Sequence, residues 1–170
     1  MTYTTQAIVL KKISAGEADA VVVLYTHDFG KIRTYAQGVK KESAKLKGHI
    51  EPFSLSAVQF VLGVAGERLT YAQMMQSWPS IRNDFDRYGA AVYIVELIDR
   101  HCLVSQPDVA IWELLLGSLI ELEQLSSSAS HLFMEKFERD FLACLGYAGT
   151  QDMRALGTAL ARPFTMVYDK

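Results

Sequence analysis

Five short runs rich in β-branched and aromatic residues occupy the first half of the chain, and they restrict the possible folds more than any other feature. Turn residues such as Gly16, Gly30 and Pro52 separate the runs, and no long helical pattern lies between them. Short strands at this spacing are typical of a small closed sheet. We therefore predict a five-stranded antiparallel barrel, with strands at residues 4–13, 20–27, 31–37, 53–62 and 67–75.

The hydrophobic pattern changes to a helical period after Trp78-Pro79. Ser80 is the predicted N-cap of the first helix, and Gly146 is a typical residue just beyond a helix C-terminus. Residues 87–104 are apolar on nearly every side, which favours a central helix covered by its neighbours. Further helices are expected at 107–125, 130–145 and 150–161, with one helical turn at 43–46.

These patterns predict an α+β protein with two parts: a barrel at residues 1–78 and an all-α domain at residues 79–170. The charge follows the same division. The net charge of the chain is −2, yet residues 1–80 carry nine Lys/Arg and six Asp/Glu, whereas residues 81–170 carry eight and thirteen. A basic front half favours a polyanionic partner on the barrel.

The third predicted strand carries two cations and an aromatic ring on one face. With a period of two, Lys31, Arg33, Tyr35 and Gln37 alternate with residues that face the other side. Barrels that bind nucleic acid use cations to follow phosphates and rings to stack on bases. A solvated face with a tyrosine at the barrel edge remains the alternative. Tyr25 and Phe29 could also stack, but core packing is the favoured interpretation for both.

A group of four lysines follows this strand, in the longest gap between predicted strands. Because these lysines adjoin the same strand, they extend one positive field. A solvated run of charge is again the alternative. The candidate DNA-binding residues are Lys31, Arg33, Tyr35, Lys40, Lys41, Lys45 and Lys47.

The sequence offers no recognisable catalytic or metal-binding motif. Asp28-Phe29-Gly30 matches a kinase tripeptide but lacks the other kinase motifs, and Gly30-Lys31 lacks the remainder of a P-loop. The four histidines have no metal-ligand spacing with Cys102 or Cys144, which we expect to be reduced core thiols. We predict no enzymatic activity, cofactor or metal. Without a signal peptide or a membrane-spanning run, a cytoplasmic protein is expected.

The order of several short motifs resembles the RecO family of bacterial DNA repair and recombination mediators. The resemblance rests on AIVLKK, GEAD, DFGK and the block from KLKG to EPF in the first half. In the second half it rests on residues 81–99 and on FERDFLACLGY at residues 137–147. It covers about residues 3–147, and residues 16–53 are its most specific part.

The resemblance implies an N-terminal OB-fold barrel, a helical domain and no catalytic residue. It further implies that the protein binds single- and double-stranded DNA and anneals complementary strands. Its implied partners are RecR and the acidic, phenylalanine-ended tail of the single-stranded-DNA-binding protein (SSB), and together they help to load the RecA recombinase. The implied location is the bacterial nucleoid.

The chain differs from the family pattern in two respects. Many members carry a four-cysteine zinc element after the Gly-Tyr pair, whereas no cysteine follows Tyr147 here. The C-terminal helices also look shortened, which leaves the position of the tail pocket and the need for RecR open. The candidate partner-binding residues are Arg82, Arg87, Arg100 and Arg139, with Arg154 and Arg162 as further candidates.

Two functions from different classes fit the sequence. The first is a non-enzymatic, DNA-binding mediator of recombination and repair. The second is a protein-interaction adaptor, in which the helical domain binds a partner peptide and the barrel does not bind DNA. Binding of single-stranded DNA at two salt concentrations would separate the two.

Overall fold

The computed structural model describes residues 1–42, 44–64, 66–125 and 130–147. The first part consists of five strands and a short 3-10 helix at Lys47–His49. The strands are β1 (Thr2–Ala15), β2 (Asp19–Thr26), β3 (Gly30–Ala36), β4 (Ser54–Gly63) and β5 (Gly66–Ser77). The helical turn expected at residues 43–46 therefore falls slightly later in the chain, at the 3-10 helix.

The five strands form a closed barrel in the order β1-β2-β3-β5-β4. Four of the neighbouring pairs are antiparallel, but β3 and β5 pair in parallel, through Thr34 with Glu67 and Tyr35 with Arg68. The predicted barrel is confirmed, and the prediction of a purely antiparallel sheet is wrong in this one pair. The parallel pair arises because β5 comes back past β4 to close the barrel against β3.

Apolar side chains on alternate positions of the strands fill the interior of the barrel. Val9, Val22, Ile32 and Val58 belong to this interior cluster, and all are at most 2% exposed. At one end of the barrel Phe29 meets the rings of Tyr3 and Phe60, with centroid separations of 5.4 Å in both cases. The core-packing interpretation of Phe29 is therefore confirmed.

Four helices follow the barrel: α1 (Pro79–Asn83), α2 (Phe85–His101), α3 (Val109–Gln124) and α4 (Ser130–Cys144). Ser80 is not the N-cap that the sequence predicted. Instead, Asp84 divides α1 from α2 and accepts a hydrogen bond from the Arg87 amide at 2.9 Å. Asp108 caps α3 in the same way, and Gly146 takes the positive φ of 87° expected beyond α4. The helix predicted at 150–161 lies outside the described residues.

A second apolar cluster joins the outside of the barrel to the helices. From the barrel it includes Ile8, Leu10, Tyr25 and Phe53, and from the helical part it includes Trp78 and side chains of all four helices. Tyr25 is completely buried there and donates a hydrogen bond to the Asp108 carbonyl at 3.4 Å. The barrel and the helices therefore share this second hydrophobic core, which is separate from the cluster inside the barrel.

Gly30 marks the closest approach of the barrel to the segment that links α2 and α3. Its φ is 66°, and a Cβ at this position would lie 2.2 Å from the carbonyl oxygen of Gln106. The same segment hydrogen-bonds to β3, since the Ser105 amide donates to the Lys31 carbonyl at 2.9 Å. Only glycine satisfies both the positive φ and the close contact. This explains the glycine of the DFGK motif without any catalytic role.

Candidate nucleic-acid interface

The outer face of β3 presents Arg33 and Tyr35 to solvent. The burial of β3 alternates, with Ile32, Thr34 and Ala36 buried inside the barrel and Arg33 and Tyr35 exposed. The alternation predicted from the sequence is thus confirmed for this strand. The two exposed side chains combine a permanent cation with an aromatic ring, which suits a backbone phosphate and a base respectively.

Lys31 shares this face but is only 5% exposed, because α2 covers the start of β3. Its ammonium group donates to the Asp99 carbonyl and lies 3.4 Å from the Asp99 carboxylate. The expectation that Lys31 is exposed beside Arg33 and Tyr35 is therefore wrong. Asp99 neutralises the charge of Lys31 where α2 covers β3. We therefore remove Lys31 from the candidate DNA contacts.

Arg68 belongs to the same surface, although the sequence pattern did not indicate it. It lies on β5 directly beside Tyr35 in the parallel register, and beside Val61 on the other side. Its side chain is exposed. The signal that could have found it is the strand order of an OB barrel, in which the last strand closes against the third. Arg33, Tyr35 and Arg68 thus form one continuous patch across two strands.

Asp19 holds Tyr35 and the following loop in place. The Tyr35 hydroxyl donates to the Asp19 carboxylate, and the Gly38 amide donates to the same carboxylate at 2.6 Å. The Gly38 and Tyr35 hydrogen bonds, with Lys41 and Lys40 nearby, hold the pKa of Asp19 below its usual value. The hydrogen bond to Asp19 is the main reason that the pKa of Tyr35 is raised. Asp19 therefore remains ionised beside the lysines.

The four lysines after β3 are all exposed, as the sequence predicted: Lys40, Lys41, Lys45 and Lys47. Val39 and Ile50 anchor this segment, because both are buried in the barrel interior cluster. Lys40 donates to the Gly16 carbonyl at 2.6 Å and to the Ser14 hydroxyl, whereas no ion pair is found for the other three within the described residues. We refer to these four residues as the lysine loop.

Comparison with known proteins identifies the family. The family described as "Recombination protein O N terminal" matches residues 1–78, and the one described as "Recombination protein O C terminal" matches residues 82–153. The chain belongs to the RecO family. Relatives named DNA repair protein RecO include one from Dehalococcoides mccartyi, 35% identical over 145 residues, which covers 85% of this chain and 56% of the relative. The one from Roseiflexus is 32% identical over 145 residues, covering 85% and 50%.

A third relative, DNA repair protein RecO from Geobacter metallireducens, is 34% identical over 143 residues, covering 84% of this chain and 58% of the relative. This chain therefore spans about half of the length of these RecO proteins. The resemblance identified from the sequence motifs is confirmed, as are the OB-fold barrel and the helices that follow it.

The arginines of the four helices differ in the contacts that their side chains already make within the chain. Arg82 donates to the Pro52 carbonyl at 2.8 Å, and Arg87 donates to the Glu123 carbonyl at 3.2 Å. These two hold the helices to each other and to the barrel. Arg100 lies 3.4 Å from Glu96, and Arg139 lies 3.8 Å from Asp140; both are well exposed. Arg154 and Arg162 lie outside the described residues.

The residue types that usually bind metals are His, Cys, Asp and Glu, and all four occur among the described residues. Among them, no group of three or more His, Cys, Asp or Glu side chains could hold a metal ion. Cys102 and Cys144 are both free thiols, and burial raises the pKa of Cys102 to about 11. At neutral pH that thiol is protonated and unreactive. Of the helices described, none has both the length and the apolar character required to cross a bilayer.

Proposed function

We propose that this chain is a non-enzymatic DNA-binding mediator of recombination and repair, and that it binds DNA on the outer face of β3 and β5. The observation that carries the proposal is the pairing of Tyr35 with Arg68 at the centre of this face, with Arg33 and the lysine loop beside it. We call this surface the β3–β5 face. It combines five exposed cations with the exposed ring of Tyr35, in a half of the chain whose other charged residues are mostly acidic. Arg33 is a sixth cation, and its guanidinium group lies 3.7 Å from the Asp99 carboxylate.

The mechanism is electrostatic. Each cation that meets a phosphate releases condensed counterions, which favours binding without regard to base sequence. This contribution to the binding free energy would come from Arg33, Arg68 and the lysine loop, for single- and double-stranded DNA alike. Neutralising the backbone charge of two complementary strands also reduces their repulsion, which is how such a surface would promote annealing. Binding to DNA would bring this activity to the bacterial chromosome.

The partners proposed for the helical domain are RecR and the acidic tail of SSB, with which the protein would help to load the recombinase. Family membership and the exposure of Arg100 and Arg139 support this part of the proposal. Calorimetric titration with an acidic peptide that ends in phenylalanine tests the proposed binding of the SSB tail. Arg139→Gln should weaken such binding, whereas Lys136→Gln on the same helix serves as the matched control. No heat with the wild-type chain at high micromolar peptide would contradict it.

The deciding test of DNA binding is a fluorescence-anisotropy titration of labelled single strands at low and moderate salt. We expect binding that weakens steeply as salt increases. If the wild-type protein does not bind at low salt, the mediator function is wrong and the adaptor function takes its place.

A further inference from the structure

A groove of about 610 Å³ lies between α2 and α4, and every described residue that lines it belongs to one of these two helices. Ala90, Tyr93 and Met134 give it an apolar surface. Phe85, the first residue of α2, borders the groove and is 88% exposed. One exposed apolar residue needs no explanation, but an exposed ring beside an apolar groove is typical of a surface that binds another protein. We call this surface the α2–α4 groove.

The walls of the groove are held together by contacts within the chain. The Tyr93 hydroxyl on α2 donates to the Glu138 carboxylate on α4 at 2.6 Å. Burial, followed by this hydrogen bond, raises the pKa of Tyr93, so the hydroxyl keeps its proton at neutral pH. Ala90 belongs to the apolar cluster that the barrel and the helices share, and Met134 packs against that cluster. The groove is therefore formed before any partner binds, as binding sites usually are.

Gly89 leaves the side of α2 open between two aromatic residues of the groove. A Cβ at this position would meet no other atom within 4 Å. Phe85, Gly89 and Tyr93 are spaced four residues apart, so they follow one another along one face of α2. At a rise of 1.5 Å per residue they span about 12 Å, which matches about two turns of a second helix. The groove thus has the length and the gap that a helix needs to pack closely against α2.

The charged residues that line the α2–α4 groove are all acidic: Asp86, Glu135 and Glu138. Within the part of the chain that the structure describes, no lysine or arginine lines it. The wider surroundings have the same sign, since residues 81–170 carry eight Lys/Arg and thirteen Asp/Glu. Such a field repels both the phosphates of DNA and the acidic tail of SSB. The groove is therefore suited to neither of these two ligands and requires a partner with positive charge.

We propose that the α2–α4 groove binds a basic amphipathic helix of a partner protein. The apolar side chains of that helix would lie on Ala90, Tyr93 and Met134, and its lysines or arginines would lie beside the three carboxylates. The apolar contact supplies affinity, and the carboxylates supply specificity because they exclude acidic partners. This inference does not depend on DNA binding, because DNA is proposed to bind on the β3–β5 face.

The probe for this site is a labelled amphipathic helix of about 14 residues, built from Leu, Ala and Lys. Its matched counterpart has Glu at every Lys position and keeps the same apolar face. In fluorescence anisotropy we expect the wild-type chain to bind the Lys peptide, and to bind the Glu peptide at least about tenfold more weakly.

Gly89→Leu tests whether the peptide binds in the groove. The affinity for the Lys peptide should fall at least about tenfold, because the new side chain occupies the groove. Gly117→Leu is the matched control, since Gly117 lies within α3 and a Cβ there also meets no atom within 4 Å. Leucine forms helices better than glycine, so both variants should fold, and thermal unfolding checks this. The affinity of Gly89→Leu for single-stranded DNA should equal that of the wild type.

Several results would overturn the inference. Equal binding of the Lys peptide by wild type and Gly89→Leu, or equal weakening in Gly117→Leu, would mean that the peptide does not bind in the groove. Equal affinity for the two peptides would mean that the carboxylates do not select the partner. A wild type that binds neither peptide would also overturn it. In that case, dissociation of a dimer by Gly89→Leu in light scattering would indicate a contact between two copies of the chain. A lower melting temperature of Gly89→Leu without any dimer would indicate that another segment of the same chain occupies the groove.

Discussion

The carboxylate of Asp99 on α2 lies 3.4 Å from the ammonium group of Lys31 on β3. The same carboxylate accepts a hydrogen bond from Lys11 on β1 at 2.8 Å, and Arg33 lies 3.7 Å from it. Glu96, one turn earlier on α2, binds Lys11 at 2.7 Å. One helix thus neutralises cations from two strands of the barrel, and these ion pairs fix its position against β1 and the start of β3.

Asp99→Asn should destabilise the protein by about 3–5 kcal/mol, because it leaves Lys31 buried without its counter-charge. The Asp99 side chain is only 12% exposed, so solvent screens the pairs weakly. Urea unfolding followed by circular dichroism measures the change. Glu121→Gln, which removes a pair with Lys136 on the exposed surface, should cost at most about 1 kcal/mol. Equal effects of the two substitutions would contradict this prediction.

The contribution of Asp99 should disappear in acid. Burial by itself would raise the pKa of this carboxyl, but Lys11 and Lys31 outweigh it and lower the pKa below its ordinary value of 3.8. A lowered pKa in the folded state means that stability is present above the ordinary value and is lost as pH falls through the folded one. The difference in unfolding free energy between wild type and Asp99→Asn should therefore shrink below about pH 4. A difference that stays constant down to about pH 2 would show that ionisation of Asp99 is unimportant.

Replacing all four residues of the lysine loop with Gln should weaken DNA binding to a similar degree for any base sequence. The salt dependence should also become shallower, by about 0.7 in log–log slope for each phosphate of a single strand that the loop no longer neutralises. Because these side chains are exposed, each of the four substitutions should change the free energy of unfolding by only about 0.5 kcal/mol. If the four-Gln protein binds as tightly as wild type at every salt concentration, the loop is only a solvated run of charge.

Tyr35→Ala and Tyr35→Phe should separate stacking from positioning. Tyr35→Ala removes the ring and should cost about 1–3 kcal/mol for each base stacked, with little change in the salt slope. Tyr35→Phe keeps the ring and removes only the hydrogen bond to Asp19, so its affinity should remain close to that of the wild type. Oligonucleotide titrations over a range of salt measure both. If Tyr35→Phe is as weak as Tyr35→Ala, the tyrosine acts through Asp19 and not as a stacking platform.

Gly30→Ala should destabilise the protein by at least about 2 kcal/mol, because the new methyl group meets the Gln106 carbonyl in a backbone that already has positive φ. Gly48→Ala is the matched control, since a Cβ there meets no other atom within 4 Å. Chemical denaturation of both proteins gives the comparison. If Gly30→Ala kept the stability of the wild type, the segment between α2 and α3 would have to move away from the new methyl group at little cost in free energy.

The order and type of the elements could be predicted because their signals are local. Strand periodicity, turn residues and the change to a helical pattern at Trp78 all lie within short windows of sequence. The N-cap was predicted at the wrong residue because Ser80 and Asp84 are both suitable N-cap residues. The structure shows that Asp84 caps α2. The direction of β5 relative to β3 depends on closure of the barrel, which no single window contains.

The site was predicted in part, and the errors come from distant contacts. The alternation of β3 places Lys31 with Arg33 and Tyr35, but the burial of Lys31 depends on Asp99, which lies 68 residues further along the chain. Arg68 was missed because its position beside Tyr35 depends on the pairing of strands separated by β4. The lysine loop was found because it is exposed and contiguous. Whether any of these residues contacts DNA stays a prediction.

The shared core between the barrel and the helices has a practical consequence for dissection of the molecule. A fragment that ended at residue 78 would leave Ile8, Leu10, Val23, Tyr25, Phe53 and Leu55 facing water, since the helices normally cover these side chains. Such a fragment should self-associate and be poorly soluble. Any affinity for DNA measured with it would therefore include a contribution from self-association. The intact chain should instead melt as one cooperative unit, with a single calorimetric transition.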